Sequence, residues 1–446
     1  MKEQSSRPSR RTWAGAVASG LAICTAMGLG TGVSAASPHA NASSKPIVVW
    51  VDSARLAMVH AWQQANPSVK LDVVTFDGGS GGDGSIQSMV GLDNRTGHGW
   101  PDIVFSENAN DVQSLGQAPF NFPATLNNGL VSNAILNNFT AGVNDPCMIG
   151  KKLECLRNDL GFDVLWVNVP LMKQFGYTIP TTWQQWQAIG EDVAKHHPGY
   201  IIGEQGVPWD EDIYLQPAQC HLNDVVAPFV VESNPKDPNC TNMTKLLDPL
   251  LKDGSVPIAN DFGSTFAKQY GGKVLLTVGP AYDSRAIFEG PGSALNSPKR
   301  TYEAAAPLKW AGAKQTWTGN VGGGLWILSS HSSQLAAAAK VMVGLATSTV
   351  SQDQSQGYPG YAPAAKSWIA IQDKSGLFAR PLAPVFAAAA PLIWPDWSQT
   401  PWNVFSLWGQ NVVPNLVSGS TVTSQLSVMA TAIANSAQNY GYQVKG

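Results

Sequence analysis

The run Met148-Ile-Gly-Lys-Lys-Leu-Glu-Cys-Leu-Arg-Asn-Asp-Leu-Gly-Phe-Asp-Val-Leu-Trp-Val-Asn168 decides the fold. It opens on a turn at Gly150, Lys151 and Lys152 and then holds two short extended pieces. The first ends at Asn158-Asp159; the second, 162–167, is an apolar run of strand length. Between them Leu160-Gly161 is a cheap place to change direction, because glycine has no Cβ to clash. Asn168-Val-Pro-Leu-Met-Lys-Gln-Phe-Gly-Tyr177 follows, and then Pro180-Thr-Thr-Trp-Gln-Gln-Trp186, a Thr-capped helix start. Any α/β protein could carry such a strand–turn–helix, so the periodicity alone fixes the class and not the family.

Outward from this stretch, the bulk properties bound the rest. A chain of 446 residues exceeds the size at which single cores stop growing, so two or more domains are expected. Only 13% of residues are charged, and tryptophan is high at 16. The net charge of −3 comes with no basic patch, which argues against nucleic acid as a partner. Beyond the N-terminus no stretch is long and apolar enough to span a bilayer.

Residues 1–35 read as a signal peptide. Arg7, Arg10 and Arg11 precede an apolar run over 13–33, and Val33-Ser34-Ala35 fits a small-residue cleavage site. Ser9-Arg10-Arg11-Thr12-Trp13 also fits a twin-arginine signal, with the general export pathway as the alternative. Lipid attachment at Cys24 is disfavoured, since Ile23 is not small and the apolar run continues past it. Loss of the signal leaves four of five cysteines, and an even number in an exported chain reads as a disulfide framework. Cys147 with Cys155 and Cys220 with Cys240 is the favoured pairing, because each closes a short loop. Metal ligation by these cysteines is the competing reading, without a C-x-x-C or a His-rich partner to support it. Residues 36–45 are small and polar and read as a flexible leader.

The central run resembles the maltose-binding-protein-like family, the extracellular sugar-binding solute receptors of ABC importers. Lys152, Asp159, Leu165-Trp166, Asn168, Leu171, Phe175-Gly176, Pro180 and Thr182-Trp183 match the family's first crossing between two lobes, while Glu154-Cys155 and Arg157 replace its usual Tyr-Gly and Pro. Elsewhere Pro46-Ile-Val-Val-Trp-Val51 with a helix and Asn66-Pro67 resembles the family's opening, and Trp100-Pro-Asp-Ile-Val-Phe-Ser106 its third strand. Thr277-Val-Gly-Pro-Ala-Tyr282-Asp283 resembles the element whose aromatic faces the ligand, Glu303-Ala-Ala-Ala-Pro-Leu308 a later strand, and Gly319-Asn-Val-Gly-Gly-Gly-Leu-Trp326 the second crossing. The resemblance spans roughly 46–435 and is thin over 200–260.

What the resemblance implies is an α/β, two-lobed periplasmic-binding-protein-like fold with a ligand cleft between lobes. Lobe one is expected to take 46–157 and 323–375, lobe two 158–322 and 376–446. The expected ligand is a small solute, most simply a carbohydrate, delivered to a membrane permease; the expected state is a monomer with no cofactor and no bound metal. Candidate cleft residues are Asp52 and Ser53 at the first strand end, Ser80 in the glycine loop 77–84, Glu107 and Asn108, Asp159, Trp209 and Asp210, Tyr282 and Asp283, Gly323 and Trp402. Sugars offer apolar C–H faces ringed by hydroxyls, which aromatic platforms and polar side chains suit. Trp209-Asp-Glu-Asp-Ile-Tyr214 admits two readings, a solvated acidic loop or a cleft contact for a polyol or cation. The rival function is an exported carbohydrate-active hydrolase. No His-Glu-x-x-His motif is present, and the Gly-x-Ser-x-Gly spacing occurs within the glycine loop 77–84, whereas two placed carboxylates could go unseen.

Overall fold

The computed structural model describes residues 45–76, 85–289, 293–395 and 400–446. Two separate sheets organise them. The first has five strands in the order Leu71–Phe76, Ile47–Asp52, Ile103–Ser106, Leu325–Leu328 and Leu156–Arg157. Its first three strands are parallel, and Leu325–Leu328 runs antiparallel to both of its neighbours. Ile103–Ser106 is buried along its whole length, as expected of a strand covered on both faces. Helix Leu56–Ala65 covers one face through Met58, Val59 and Trp62. Helix Leu335–Thr347 approaches it closely because Gly344 leaves room for the Trp62 indole, where a Cβ would collide.

The second sheet is antiparallel, with Asp163–Asn168 between Leu276–Pro280 and Tyr302–Ala305. The apolar run beginning at Phe162 is therefore the central strand, buried throughout. Thr182 caps helix Trp183–His196 as its sequence suggests, its hydroxyl accepting from the Gln185 N–H at 3.2 Å. Both disulfides form, Cys147 with Cys155 and Cys220 with Cys240.

Between the sheets the chain crosses at 158–162 and again at 318–324, and the two crossings are bonded to each other. Val321 donates to the Gly161 carbonyl at 2.9 Å, and Gly161 donates to Asn320 Oδ1 at 3.0 Å. The Gly161 reading survives in a sharper form, since a side chain there would collide with the Val321 carbonyl. A third segment, Tyr358–Pro359, pairs with Asp159–Leu160. Asp159 knits all three together, accepting from the Gly324 N–H at 2.6 Å and the Gly357 N–H at 3.1 Å.

Two expectations change. The glycine loop 77–84, and Ser80 with it, lies outside the described residues. The acidic Trp209 segment is not a solvated loop, and of its residues only Asp212 reaches the cleft. The segment is the short helix Asp210–Tyr214, with Asp210, Glu211 and Asp212 at 1%, 0% and 2% exposure.

Candidate functional site

One wall of the cleft comes from the first sheet. Strand Ile103–Ser106 ends at Glu107 and Asn108, and the Ser106 hydroxyl fixes this corner by donating to Asp111 at 2.6 Å while accepting from the Asn108 N–H at 3.0 Å. Beside it lies the 141–146 loop, which the Cys147–Cys155 disulfide ties to the first crossing. The floor is the crossing itself. Arg157 is fully buried and donates to the Gly322 carbonyl at 3.0 Å, and burial lowers its pKa to about 10. Gly323, with φ of +84°, leaves the space the guanidinium occupies.

The opposite wall is aromatic and amide-rich. Trp402 is 4% exposed, and its Nε1 donates to Asn223 Oδ1 at 2.9 Å. Its ring packs 5.2 Å from that of Tyr442, edge to face, so it presents one fixed surface. Trp394 is anchored by its backbone N–H to the Thr318 carbonyl at 3.0 Å. Asn403 caps the helix Val404–Asn411, accepting from Ser406 at 3.0 Å, and brings Phe405 to the same wall. Gln216 joins wall to floor: its amide nitrogen donates to Asp212, and its oxygen accepts from the Asn320 N–H at 2.9 Å. Together these surfaces line a cleft of about 960 Å³, part of it open solvent.

Of the candidate residues read from sequence, Glu107, Asn108 and Trp402 line this cleft. Asp52 lies behind it, accepting from the Arg55 N–H at 3.0 Å, and Ser53 is exposed beside it. Asp159 and Gly323 belong to the frame of the crossings, since the Asp159 carboxylate is occupied by backbone donors. Trp209 packs edge-on against Phe262, 5.6 Å between centroids, and does not line the cleft. Asp210 is likewise internal: Gly206 and Val207 donate to it at 2.6 and 3.0 Å. Tyr282 stands with its ring edge beside Gly161, next to the crossing, and Asp283 is buried under Gly279. Sequence reasoning missed Gln216, Asn320, Trp394 and Phe405 as lining residues, whereas Asp212 belongs to the Trp209–Tyr214 cluster read as a possible cleft contact. Asn320 lies in the Gly319–Trp326 stretch of the second crossing, which was the available signal.

Behind the aromatic wall lies a set of buried carboxylates. Burial pushes Asp210 up to about 8 and Asp261 up to about 7, and raises Glu204, Asp163, Glu211 and Asp283 well above the usual carboxylate range. Neighbouring carboxylates add to the rise at these last four. Among the described residues no group of His, Cys, Asp or Glu has the arrangement of a metal site.

No protein-family model matches the chain, and no curated protein matches it in sequence. Solved structures do match. The galacto-N-biose/lacto-N-biose I-binding protein of an ABC transporter from Bifidobacterium longum is 15% identical with a TM-score of 0.71, over 90% of this chain and 98% of that one. An ABC-transporter-associated binding protein from B. animalis subsp. lactis, in complex with β-1,6-galactobiose, is 12% identical with a TM-score of 0.71, over 90% and 100%. UgpB from Mycobacterium tuberculosis, in complex with glycerophosphocholine, is 13% identical with a TM-score of 0.61, over 89% and 99%. The likeness covers these chains almost entirely and shows the fold, the two-lobed α/β architecture of periplasmic binding proteins.

Proposed function

We propose that this chain is the solute-capturing component of an ABC import system, holding a small hydroxyl-rich solute, most simply a mono- or oligosaccharide, between its lobes and delivering it to a membrane permease. The observation that carries the reading is the cleft: fixed aromatic faces at Trp394, Trp402 and Phe405 oppose hydrogen-bonding groups at Glu107, Asn108 and Asn320. That combination suits the apolar faces and hydroxyl rims of sugars. The shared fold supports it, because the similar structures are binding proteins of transport systems and two of them are described with lacto-N-biose and β-1,6-galactobiose.

The lobes are assigned as 46–157 with 323–375, and 158–322 with 376–446. Separate sheets support this division, and Phe378 lies 5.5 Å from Trp166 of the second sheet. Solute binding closes the lobes about the three crossing segments. A signal peptide over 1–35 and two disulfides support export to the cell envelope or beyond, as a monomer. Receptor function is favoured over hydrolysis because, of the wall carboxylates Glu107, Asp145 and Asp212, two are restrained, Glu107 by Arg55 and Asp212 by Gln216.

A thermal-shift screen of the mature chain against lacto-N-biose, β-1,6-galactobiose, maltose, digalacturonate and glycerophosphocholine tests this. A solute at about 100 times its Kd stabilises by about 2.7 kcal/mol, a readily measured shift. Stabilisation by a neutral saccharide is expected. Release of reducing sugar from any of these without stabilisation contradicts the reading.

A further inference from the structure

Behind the first-sheet wall lies a charge pair that neither the fold nor the receptor reading explains. Arg55 ends the 3-10 turn Ser53–Arg55 and is 8% exposed. Its backbone N–H donates to one oxygen of the Asp52 carboxylate, its Nη1 lies 3.5 Å from the other, and its guanidinium stands 4.9 Å from the centre of the Phe105 ring. The same Nη1 donates to Glu107 Oε1. The cation is thus held by a strand end beneath, an aromatic face beside it and Glu107 in front. Of this group only Glu107 lines the cleft. A buried guanidinium is costly unless paired, and its fixed fork suits it to orienting a carboxylate.

We propose that Arg55 is a positioning residue for the cleft: it anchors one oxygen of Glu107 so that the other faces a bound solute as the first lobe's acceptor for a hydroxyl or ammonium donor. The inference rests on the receptor reading and narrows its ligand class. The one cation on the cleft wall among the described residues is Arg157, whose guanidinium donates to the Gly322 and Asp159 carbonyls. A neutral or cationic face toward Glu107 is therefore accepted, and an anionic one is repelled. The charged and titratable groups acting on this corner are Arg55, Asp52 and Asp159, with the Tyr282 phenol also within electrostatic reach. Burial raises Glu107 above the usual carboxylate range, and Arg55 opposes that rise. Removing Arg55 leaves burial and the charges of Asp52 and Asp159 unopposed, so Glu107 then takes up its proton at a higher pH.

The test uses the mature protein labelled with carboxyl-¹³C glutamate, with Glu107 assigned by E107Q, and compares wild type, R55M and R55K. In R55M the Glu107 titration is expected to move up by about one pH unit or more. Affinity for the best neutral disaccharide of the panel is expected to fall about tenfold in R55M and in E107Q, with R55K returning most of both effects. Digalacturonate is expected to bind wild type at least about tenfold more weakly than β-1,6-galactobiose, a gap that E107Q narrows. A Glu107 titration unchanged in R55M overturns the inference, as does E107Q binding at the wild-type level, which remains decisive if R55M does not fold. If no panel member binds wild type, the receptor reading itself falls and takes this inference with it. If saccharides bind wild type and the Glu107 variants alike, the inference alone fails.

Discussion

Raising the pH is expected to destabilise this protein, and Asp210 provides the cleanest way to test it. Its side chain is 1% exposed, it accepts from Gly206 and Val207, and burial holds its pKa up to about 8. In the unfolded chain an aspartate titrates near 3.9. Because the folded value is the higher one, the native state keeps a proton that the unfolded state has released. Stability from this group is therefore full below about pH 4, falls as pH rises, and levels off above about pH 8. The slope inside that window is about 1.4 kcal/mol per pH unit, so two units cost about 3 kcal/mol. Asp261, held up to about 7, adds a loss of similar size between pH 5 and 7. At about 1–2 °C per kcal/mol for a chain this large, the melting temperature drops by roughly 5–10 °C from pH 5 to 7. Asp210→Asn keeps an oxygen for the two backbone donors and removes the titration. It is expected to melt like wild type at pH 4 and above it at pH 8, with a shallower slope, because Asp261 and the other buried carboxylates still titrate. Calorimetric melts across pH 4–9 measure this. A wild-type melting temperature that climbs from pH 5 to 7, or an unchanged slope in D210N, refutes the reasoning.

Trp402 is both wall and packing, so Trp402→Ala is expected to weaken saccharide binding at least tenfold and also to lower stability by about 3–5 kcal/mol; Trp402→Phe, retaining the apolar contact while losing the bond to Asn223, separates the two by titration and melting. Phe405→Ala, at a half-buried wall position, is expected to weaken binding with a smaller stability change, read by the same pair of measurements. Thiol labelling of the unfolded mature chain is expected to find no free cysteine, and replacing Cys147 and Cys155 together by Ser is expected to cost about 2–3 kcal/mol while loosening the 141–146 wall, seen as weaker binding. Gly161→Ala places a methyl against the Val321 carbonyl and is expected to destabilise by about 1–3 kcal/mol, measured by urea unfolding.

The frame of the fold was legible because its signals are local. The apolar run beginning at Phe162, the Thr182 cap and the two short cysteine loops each carry their physics within a few residues. The cleft was legible only at strand ends, where Glu107 and Asn108 follow a buried run directly. Arg55 and Glu107 are 52 residues apart, and their pairing depends on the parallel register of two strands that no local pattern states. Asp210, Glu211 and Asp212 read as a loop or rim because consecutive carboxylates are normally solvated. Their burial in a helix under the aromatic wall is a tertiary override. Trp209 was misplaced for the same reason, since which way an aromatic turns at an element end depends on neighbours such as Phe262. Trp394 and Phe405 lay within a tryptophan-rich stretch whose individual orientations the sequence leaves open.

The central claim, a solute held between two lobes against fixed tryptophan faces, is tested most directly by tryptophan fluorescence of the mature protein titrated with β-1,6-galactobiose, lacto-N-biose and maltose. Trp394 and Trp402 line the cleft, so the account predicts a saturable one-site change in intensity or wavelength with at least one of them, abolished or weakened at least tenfold in W402A. A response that is absent for every saccharide, or that persists at full affinity in W402A and F405A alike, contradicts it.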